Sequence, residues 1–161
     1  VGRDNTGAYY EYSAGSLTFG VGAGQTEDDL IADANDDFVS VAAKYAAGNY
    51  KVAIGYEENS AVSGITASGS VTFGAATVKA KVADYDTIDT QWALSVDYVT
   101  GPATITAFYA DRATDPNVSV ITETVAGLGV AYDLGGGATL AAGVADNGTD
   151  TVADFGLKFA F

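Results

Sequence analysis

Strict alternation of apolar and polar side chains along most of the chain limits what this sequence can fold into. The segment YKVAIGYE at residues 50–57 places Tyr, Val, Ile and Tyr at every second position, with Lys, Ala, Gly and Glu between them. The same period recurs at 38–45, 76–83 and 91–98, and no helical period is sustained anywhere. Since side chains of a strand alternate between its two sides, the pattern predicts strands with one apolar and one polar face.

Eleven such strands are predicted, and their connections alternate between two kinds. Short glycine-containing turns suit tight hairpins, because glycine adopts the positive φ that these turns need. The short turns are SAGS, AAGN, FGAA, VTGP and DLGGG, and the long polar connections are 27–36, 59–63, 85–90, 112–122 and 147–150. The predicted strands cover residues 8–13, 16–26, 37–46, 49–58, 64–74, 76–84, 91–100, 102–111, 123–133, 138–146 and 151–161. The chain is therefore predicted to be an all-β, antiparallel, up-and-down structure of one domain, residues 1–161.

Composition excludes several classes of function. With 21 acidic and 7 basic residues the chain carries a net charge of −14, which argues against binding to nucleic acid phosphates. It has no Cys and no His, so disulfides, thiol nucleophiles and imidazole bases are absent, and we predict no enzymatic activity. No apolar run approaches the ~20 residues of a transmembrane helix, although 48% of residues are hydrophobic.

Aromatic residues of the apolar face collect next to the short turns. Transmembrane barrels place Tyr and Phe at the membrane–water boundary, where an amphipathic ring is stable. The predicted aromatic girdle comprises Tyr45, Tyr50, Phe73, Tyr98, Tyr132 and Phe159. A sparser set near the long connections comprises Tyr56, Trp92 and Tyr109.

Basic residues collect on the other face. The predicted polar-face set is Lys44, Lys51, Lys79, Lys81, Arg112 and Lys158, with Asp97 and Asp154 as acidic members. A soluble β-sandwich would expose these residues to solvent, whereas a barrel would gather them around a water-filled pore, and alternation alone does not separate the two. The aromatic residues at one rim favour a transmembrane β-barrel with these side chains lining the pore.

Acidic residues in the first long connection are candidates for weak Ca²⁺ binding. Asp33, Asn35 and Asp37 have the opening spacing of an EF-hand loop, but Phe38 and Lys44 stand where that loop needs Gly and Glu. The candidate ligands are Asp28, Asp29, Asp33 and Asp37, and the alternative is a solvated acidic rim.

The last eleven residues, TVADFGLKFAF, alternate apolar residues up to the final Phe. An aromatic edge strand of this length would promote aggregation in water, whereas in a closed barrel it would be paired. Its pattern of Phe155, Leu157, Phe159 and Phe161 resembles the assembly signal of Gram-negative outer-membrane proteins.

Longer segments resemble the general diffusion porins of photosynthetic and related alphaproteobacteria. They are YEYSAGSLTFGVG, AGNYKVAIGYEE, FGAATVKAKVAD, GLGVAYDLGGGATLAAGVADN and VADFGLKFAF. The resemblance implies a trimer of transmembrane β-barrels of about 16 strands each, with a constriction loop whose acidic groups face basic groups of the wall. This chain, with about 11 of those strands, then corresponds to the C-terminal two-thirds.

The resemblance also implies a function, a location and partners. We expect a porin of the Gram-negative outer membrane that passes ions and small hydrophilic solutes by diffusion, in contact with lipid and lipopolysaccharide. The alternative is a non-transporting surface β-protein with a structural or adhesive role.

Overall fold

The chain forms eleven β-strands and no helix in residues 4–27, 35–60, 62–112 and 124–160, the part that the computed structural model describes. The described residues thus contain no helix long and apolar enough to cross a membrane. In chain order the strands are β1 (Asp4–Ala14), β2 (Leu17–Glu27), β3 (Asn35–Ala47), β4 (Tyr50–Asn59), β5 (Ser63–Phe73), β6 (Ala76–Tyr85), β7 (Ile88–Thr100), β8 (Ala103–Asp111), β9 (Thr124–Gly135), β10 (Ala138–Asp146) and β11 (Thr151–Phe159).

All eleven strands belong to one sheet whose spatial order is the order of the sequence. Every strand pairs antiparallel with the next one along the chain. In the described part, β1 pairs only with β2 and β11 only with β10. The predicted all-β, antiparallel, up-and-down fold is confirmed.

Five two-residue turns join strands at one rim, and glycine opens four of them with φ between 56° and 61°: Gly15, Gly48, Gly74 and Gly101. The fifth turn is Gly136–Gly137, with φ of 61° and 82°. The carbonyl of the second residue of each turn accepts a backbone hydrogen bond at 2.8–2.9 Å, from the strand that follows the hairpin or, at Gly137, from Ala160 directly after β11. The short-turn rim is therefore hydrogen-bonded to the sheet along its length.

One predicted connection is wrong. Residues 85–90 were expected to form a long polar loop, but only Asp86 and Thr87 form a turn, and β7 begins at Ile88. The Asp86 carboxylate accepts hydrogen bonds from the Ser63 backbone N–H and hydroxyl, both at 3.1 Å. Polar residues here stabilise a tight turn, which composition alone does not distinguish from a loop. The first strand also extends further than predicted, beginning at Asp4 rather than at residue 8.

The described residues contain almost no hydrophobic core. Ala83 and Val125 are the only buried hydrophobic side chains among the described residues, and no large side chain there is fully buried. A β-sandwich needs two sheets packed face to face, whereas the described strands form a single sheet. The large apolar side chains consequently remain exposed and require an apolar environment outside the chain.

The strand register gives this sheet one continuous apolar face. Residues directly paired across strands share a face, and one row that crosses the sheet from β3 to β8 is Tyr45, Val52, Gly69, Ala80, Leu94 and Tyr109. On β7 the apolar face includes Trp92 and Leu94, 42% and 43% exposed. The opposite face carries Asp97, whose side chain is 21% exposed. On β7 the apolar face is thus the more open side.

We predict that Val52→Lys impairs folding in a membrane. Val52 lies within β4 on the apolar face and is 51% exposed. A lysine on the lipid side costs roughly 2–4 kcal/mol at the bilayer midplane and about 0–1 kcal/mol near the interfaces. Because Val52 is paired with Tyr45 close to a short turn, we expect a loss of stability between these two limits. The measurement is a urea titration of the complete protein in lipid vesicles, in which the gel mobility of the folded form reports the fraction that remains folded.

The matched control is Ala53→Lys, which adds the same side chain to the adjacent residue on the polar face, and its stability should stay close to that of the parent. If Ala53→Lys prevents folding while Val52→Lys is tolerated, the two faces are assigned the wrong way round.

Candidate functional site

The lysines of β3, β4 and β6 lie together on the polar face. In one row of the register, Lys51 is paired with Ser70, Ser70 with Lys79, and Lys79 with Ser95. In the adjacent row, Ala53 separates Lys44 from Ser68, which is paired with Lys81. All four lysines line one recess of the polar face that spans β3 to β8, together with Ser68, Ser70, Ser95 and Phe108. We call this the basic recess.

Lys79 makes an ion pair with Asp97 of the next strand. Its Nζ donates to Asp97 Oδ2 at 2.6 Å, and the Thr106 hydroxyl donates to Asp97 Oδ1 at 2.7 Å. Both carboxylate oxygens of Asp97 are therefore occupied, and its position on β7 is held from β6 and β8. This is the one ion pair found among the described residues.

The remaining charged residues assigned to this face lie outside the basic recess. Asp154 is paired with Gly143 and Lys158 with Thr139, both between β10 and β11, and Arg112 directly follows β8. The structure thus brings four of the predicted basic residues together beside Asp97. It leaves Arg112, Lys158 and Asp154 apart from them.

A second polar cluster lies on the same face near the longer connections. The Tyr85 hydroxyl donates to Glu57 Oε1 at 2.7 Å, joining β6 to β4 across β5. The next residue in the chain is Asp86, whose carboxylate accepts the two hydrogen bonds from Ser63. These bonds fix the β6–β7 turn against the neighbouring strands.

Four aromatic side chains cover glycines on the polar face, a feature that alternation alone did not predict. A Cβ added to any of these glycines would overlap the aromatic ring. The pairs are Tyr9 with Gly20, Phe38 with Gly24, Tyr85 with Gly64, and Phe108 with Gly127. The position of each residue within its strand indicates the face. The covered glycine is the directly paired residue for Phe38, Tyr85 and Phe108, whereas Tyr9 is paired with Gly22 and its ring reaches diagonally to Gly20.

The residues of the predicted girdle lie on the apolar face near the short turns. Tyr45 and Tyr50 flank one turn, with ring centroids 5.8 Å apart. At the opposite margin, Trp92 and Tyr109 are stacked with centroids 5.3 Å apart. Phe73, Tyr98, Tyr132 and Phe159 share the apolar face by register.

In the last strand, Phe155, Leu157 and Phe159 also share the apolar face, paired with Ala142, Leu140 and Ala138. Phe155 is 86% exposed. The fourth residue of the predicted assembly signal, Phe161, lies outside the described residues.

Most of the predicted calcium ligands lie outside the described part of the chain. This holds for Asp28, Asp29 and Asp33, whereas Asp37 is in β3 and accepts a hydrogen bond from Gln25 at 2.9 Å. Where the chain is described, no three acidic side chains come together in a way that would hold a metal ion. The calcium site stays a prediction.

A single meandering sheet with one apolar face, aromatic residues at both margins and lysines on the opposite face has the architecture of a transmembrane β-barrel wall. Comparison with known proteins identifies the family of barrels to which this wall belongs. Residues 1–152 match the family model of the Gram-negative porins, and the chain belongs to this family.

Individual relatives agree with that assignment. A porin of Rhodobacter capsulatus is 33% identical over 194 aligned positions, which cover 99% of this chain and 62% of that protein. A porin structure refined at 1.8 Å resolution is 29% identical, with a TM-score of 0.76, and covers 98% of this chain and 62% of its own. A mutant of Rh. blastica porin is 20% identical, with the same TM-score of 0.76, and shows the same fold over 98% of this chain and 55% of its own.

These comparisons confirm the predicted family, the transmembrane β-barrel fold and the location in the Gram-negative outer membrane. The chain spans about 55–62% of the length of the relatives that it matches. The expected total of about 16 strands stays a prediction.

We predict that Gly64→Ala destabilises the barrel. Gly64 is buried, and a Cβ there would overlap the body of the Tyr85 ring, not its flexible end. Moving the ring would disrupt the Tyr85–Glu57 hydrogen bond, so we expect a loss of about 1–3 kcal/mol in the free energy of unfolding. Urea titration of the complete protein in lipid vesicles measures this loss of free energy.

Gly156→Ala is the control, since Gly156 is also a strand glycine of the polar face but has nothing within 4 Å of the added Cβ. It should leave the free energy of unfolding unchanged. Equal stability of the two variants would show that the Tyr85 ring does not require a glycine beneath it.

Proposed function

We propose that the complete protein is an outer-membrane porin that forms a water-filled channel for passive diffusion of ions and small hydrophilic solutes. The observation that carries the proposal is the division of the sheet into two faces. The apolar face is exposed and suits lipid, while the four central lysines lie together on the other face. A barrel wall of this kind supports a wet interior.

The wall lysines would act on permeating ions through their charge. Lys44, Lys51 and Lys81 have no ion-pair partner in the described part of the wall. In a narrow pore their field would be balanced across the lumen, as the family resemblance implies, by acidic groups on a constriction loop. Such a transverse field orients polar solutes and tunes ion selectivity without a specific binding step. Arg112, Lys158, Asp97 and Asp154 would add to the charge of the lumen.

The family resemblance suggests further partners. We propose a homotrimer, with the rest of the apolar face against lipid and the outer rim against lipopolysaccharide. Weakly bound Ca²⁺ at the acidic connection that contains Asp28, Asp29, Asp33 and Asp37 would bridge to anionic headgroups. We propose no catalytic role, since a passive channel needs none.

Single-channel recording of the complete protein in planar bilayers tests the proposal. A porin should give stepwise conductance in KCl that grows with salt concentration. A folded, membrane-inserted protein without conductance would instead support the structural or adhesive role.

We predict that replacing Lys44 and Lys81 together by Glu raises cation preference. The exchange reverses two charges of the basic recess, so K⁺ should be favoured over Cl⁻ severalfold more than in the parent. The zero-current potential across a KCl gradient measures the effect. Folding should be retained, because substitutions on the lumen side tune selectivity with little effect on assembly.

The matched control replaces the same two lysines by Arg, which keeps the charge and should keep the zero-current potential. If the Glu variant conducts with unchanged selectivity, the basic recess does not face the ion path.

A second prediction concerns orientation in the membrane. In barrels of this family the short turns are expected at the periplasmic side and the longer connections outside. The chain has no Cys, so single cysteines give a background-free label. On intact cells, Thr149→Cys should react with an impermeant maleimide, whereas Ala75→Cys should react only after the outer membrane is opened.

Both residues are exposed and lie in connections at opposite rims, so they differ mainly in the side of the membrane that they report. Labelling of Ala75→Cys but not Thr149→Cys on intact cells would show that the topology is the reverse of the one predicted.

A further inference from the structure

The basic recess is a local concentration of positive charge in a strongly acidic protein. The chain carries 7 basic and 21 acidic residues, and four of the basic ones line this one recess. No carboxylate is among the residues that line it. An anion near the wall is therefore attracted here and repelled by most of the remaining surface.

Three of the four lysines retain charge that is available to a ligand. Asp97 neutralises Lys79 at 2.6 Å, and the Thr106 hydroxyl holds Asp97 in place. Lys44, Lys51 and Lys81 form no ion pair in the described wall, and their side chains are exposed. The recess can therefore accept two or three negative charges without displacing an existing pair.

Two serine hydroxyls lie between these lysines. Ser68 and Ser70 are on the polar face of β5, and the register pairs Ser70 with Lys51 on one side while Ser68 is paired with Lys81 on the other. Neighbouring strands are about 4.8 Å apart and each strand residue rises about 3.3 Å. Because Lys51 and Lys81 lie two strands apart in rows offset by two residues, their backbones are separated by roughly 12 Å. Long, flexible lysine side chains can converge from both sides on an anion that accepts hydrogen bonds from the two hydroxyls.

The types of side chain indicate which anion fits. Arginine binds both carboxylate and phosphate through a rigid two-pronged contact, but the recess contains no arginine, so an anion would be held here by lysine charges and serine hydroxyls. Lysine acts as a compact point charge with rotatable donors, which suits the several oxygens of a phosphate group. Because the recess is on the polar face, the phosphate would come from a dissolved solute and not from a lipid headgroup.

We propose that Lys51, Lys81, Ser68 and Ser70 form a weak binding site for phosphorylated solutes on the channel wall, with Lys44 adding charge. This inference rests on the proposed channel function, because it places the site in the path of the solutes. Such a site would raise the local concentration of small phosphate-bearing anions in the pore, and their binding would transiently reduce the flow of other ions.

Two measurements on the complete protein test the site, with inorganic pyrophosphate as the probe. In detergent, ³¹P line broadening of pyrophosphate reports binding without any need for conduction. In planar bilayers, pyrophosphate should reduce the KCl conductance in a saturable way. The reduction should be the same in neutral and anionic bilayers, whereas a site for lipid headgroups would bind pyrophosphate more weakly in the anionic bilayer.

Replacing Lys51 and Lys81 together by Gln should weaken pyrophosphate binding by about tenfold or more, since two charge-assisted contacts are lost. Ser70→Ala should weaken it by a smaller factor. The matched control is Lys158→Gln, a lysine of the same face paired with Thr139 at the far edge of the sheet, and binding should be unchanged. Replacing Lys51 and Lys81 by Arg keeps the charge and should retain most of the binding.

The outcomes separate the two proposals. Normal conductance with equal pyrophosphate binding by the parent, the Gln variant and the Lys158→Gln control would overturn the site and leave the channel intact. Saturable broadening that the Gln variant loses, in a protein that does not conduct, would support the site and overturn the channel. Should the Gln variant fail to fold, unchanged binding by Ser68→Ala and Ser70→Ala would still overturn the site.

Discussion

Pairing of backbone hydrogen bonds between neighbouring strands is the constraint on which the rest of this structure depends. In lipid an unpaired N–H or C=O costs several kcal/mol, because no water is present to replace the partner. Each of β2 to β10 is paired on both sides in an unbroken antiparallel meander. The short glycine turns make this possible, since they reverse the chain within two residues and are themselves bonded to the next hairpin. The sheet is thus held together by its ladder in place of a buried core.

Once the ladder is formed, the two faces can serve different environments. Since Ala83 and Val125 are the only buried hydrophobic side chains in the described part of the chain, the apolar side chains contribute little to internal packing and instead form the surface that meets lipid. The polar face does not have to pack against a hydrophobic core. It can hold lysines, serines and glycines side by side, with aromatic rings such as Tyr85 covering glycines such as Gly64. This division explains how a strongly acidic chain can be rich in hydrophobic residues and still concentrate lysines in one recess.

Much of the fold could be predicted from the sequence, because a period of two is a direct consequence of strand geometry. Alternation within YKVAIGYE and its counterparts predicted the strands and the face of each residue, and glycines predicted the short turns. The prediction failed at residues 85–90, where Asp86 caps a tight turn through Ser63, a residue of the preceding hairpin. It also did not anticipate the aromatic rings over glycines. In both cases the missing information was the identity of the partner on another strand.

The sequence by itself determined the strands, their two faces and the family, since these depend on local alternation and on recognisable segments. Only the tertiary structure decided the register, because a strand can slide by two residues along its neighbour without changing which face its side chains occupy. That register pairs Ser70 with both Lys51 and Lys79 and brings Asp97 within 2.6 Å of Lys79 alone. Which lysines of the recess remain without an ion pair therefore depends on how the strands are aligned. This cannot be read from the sequence of any single strand.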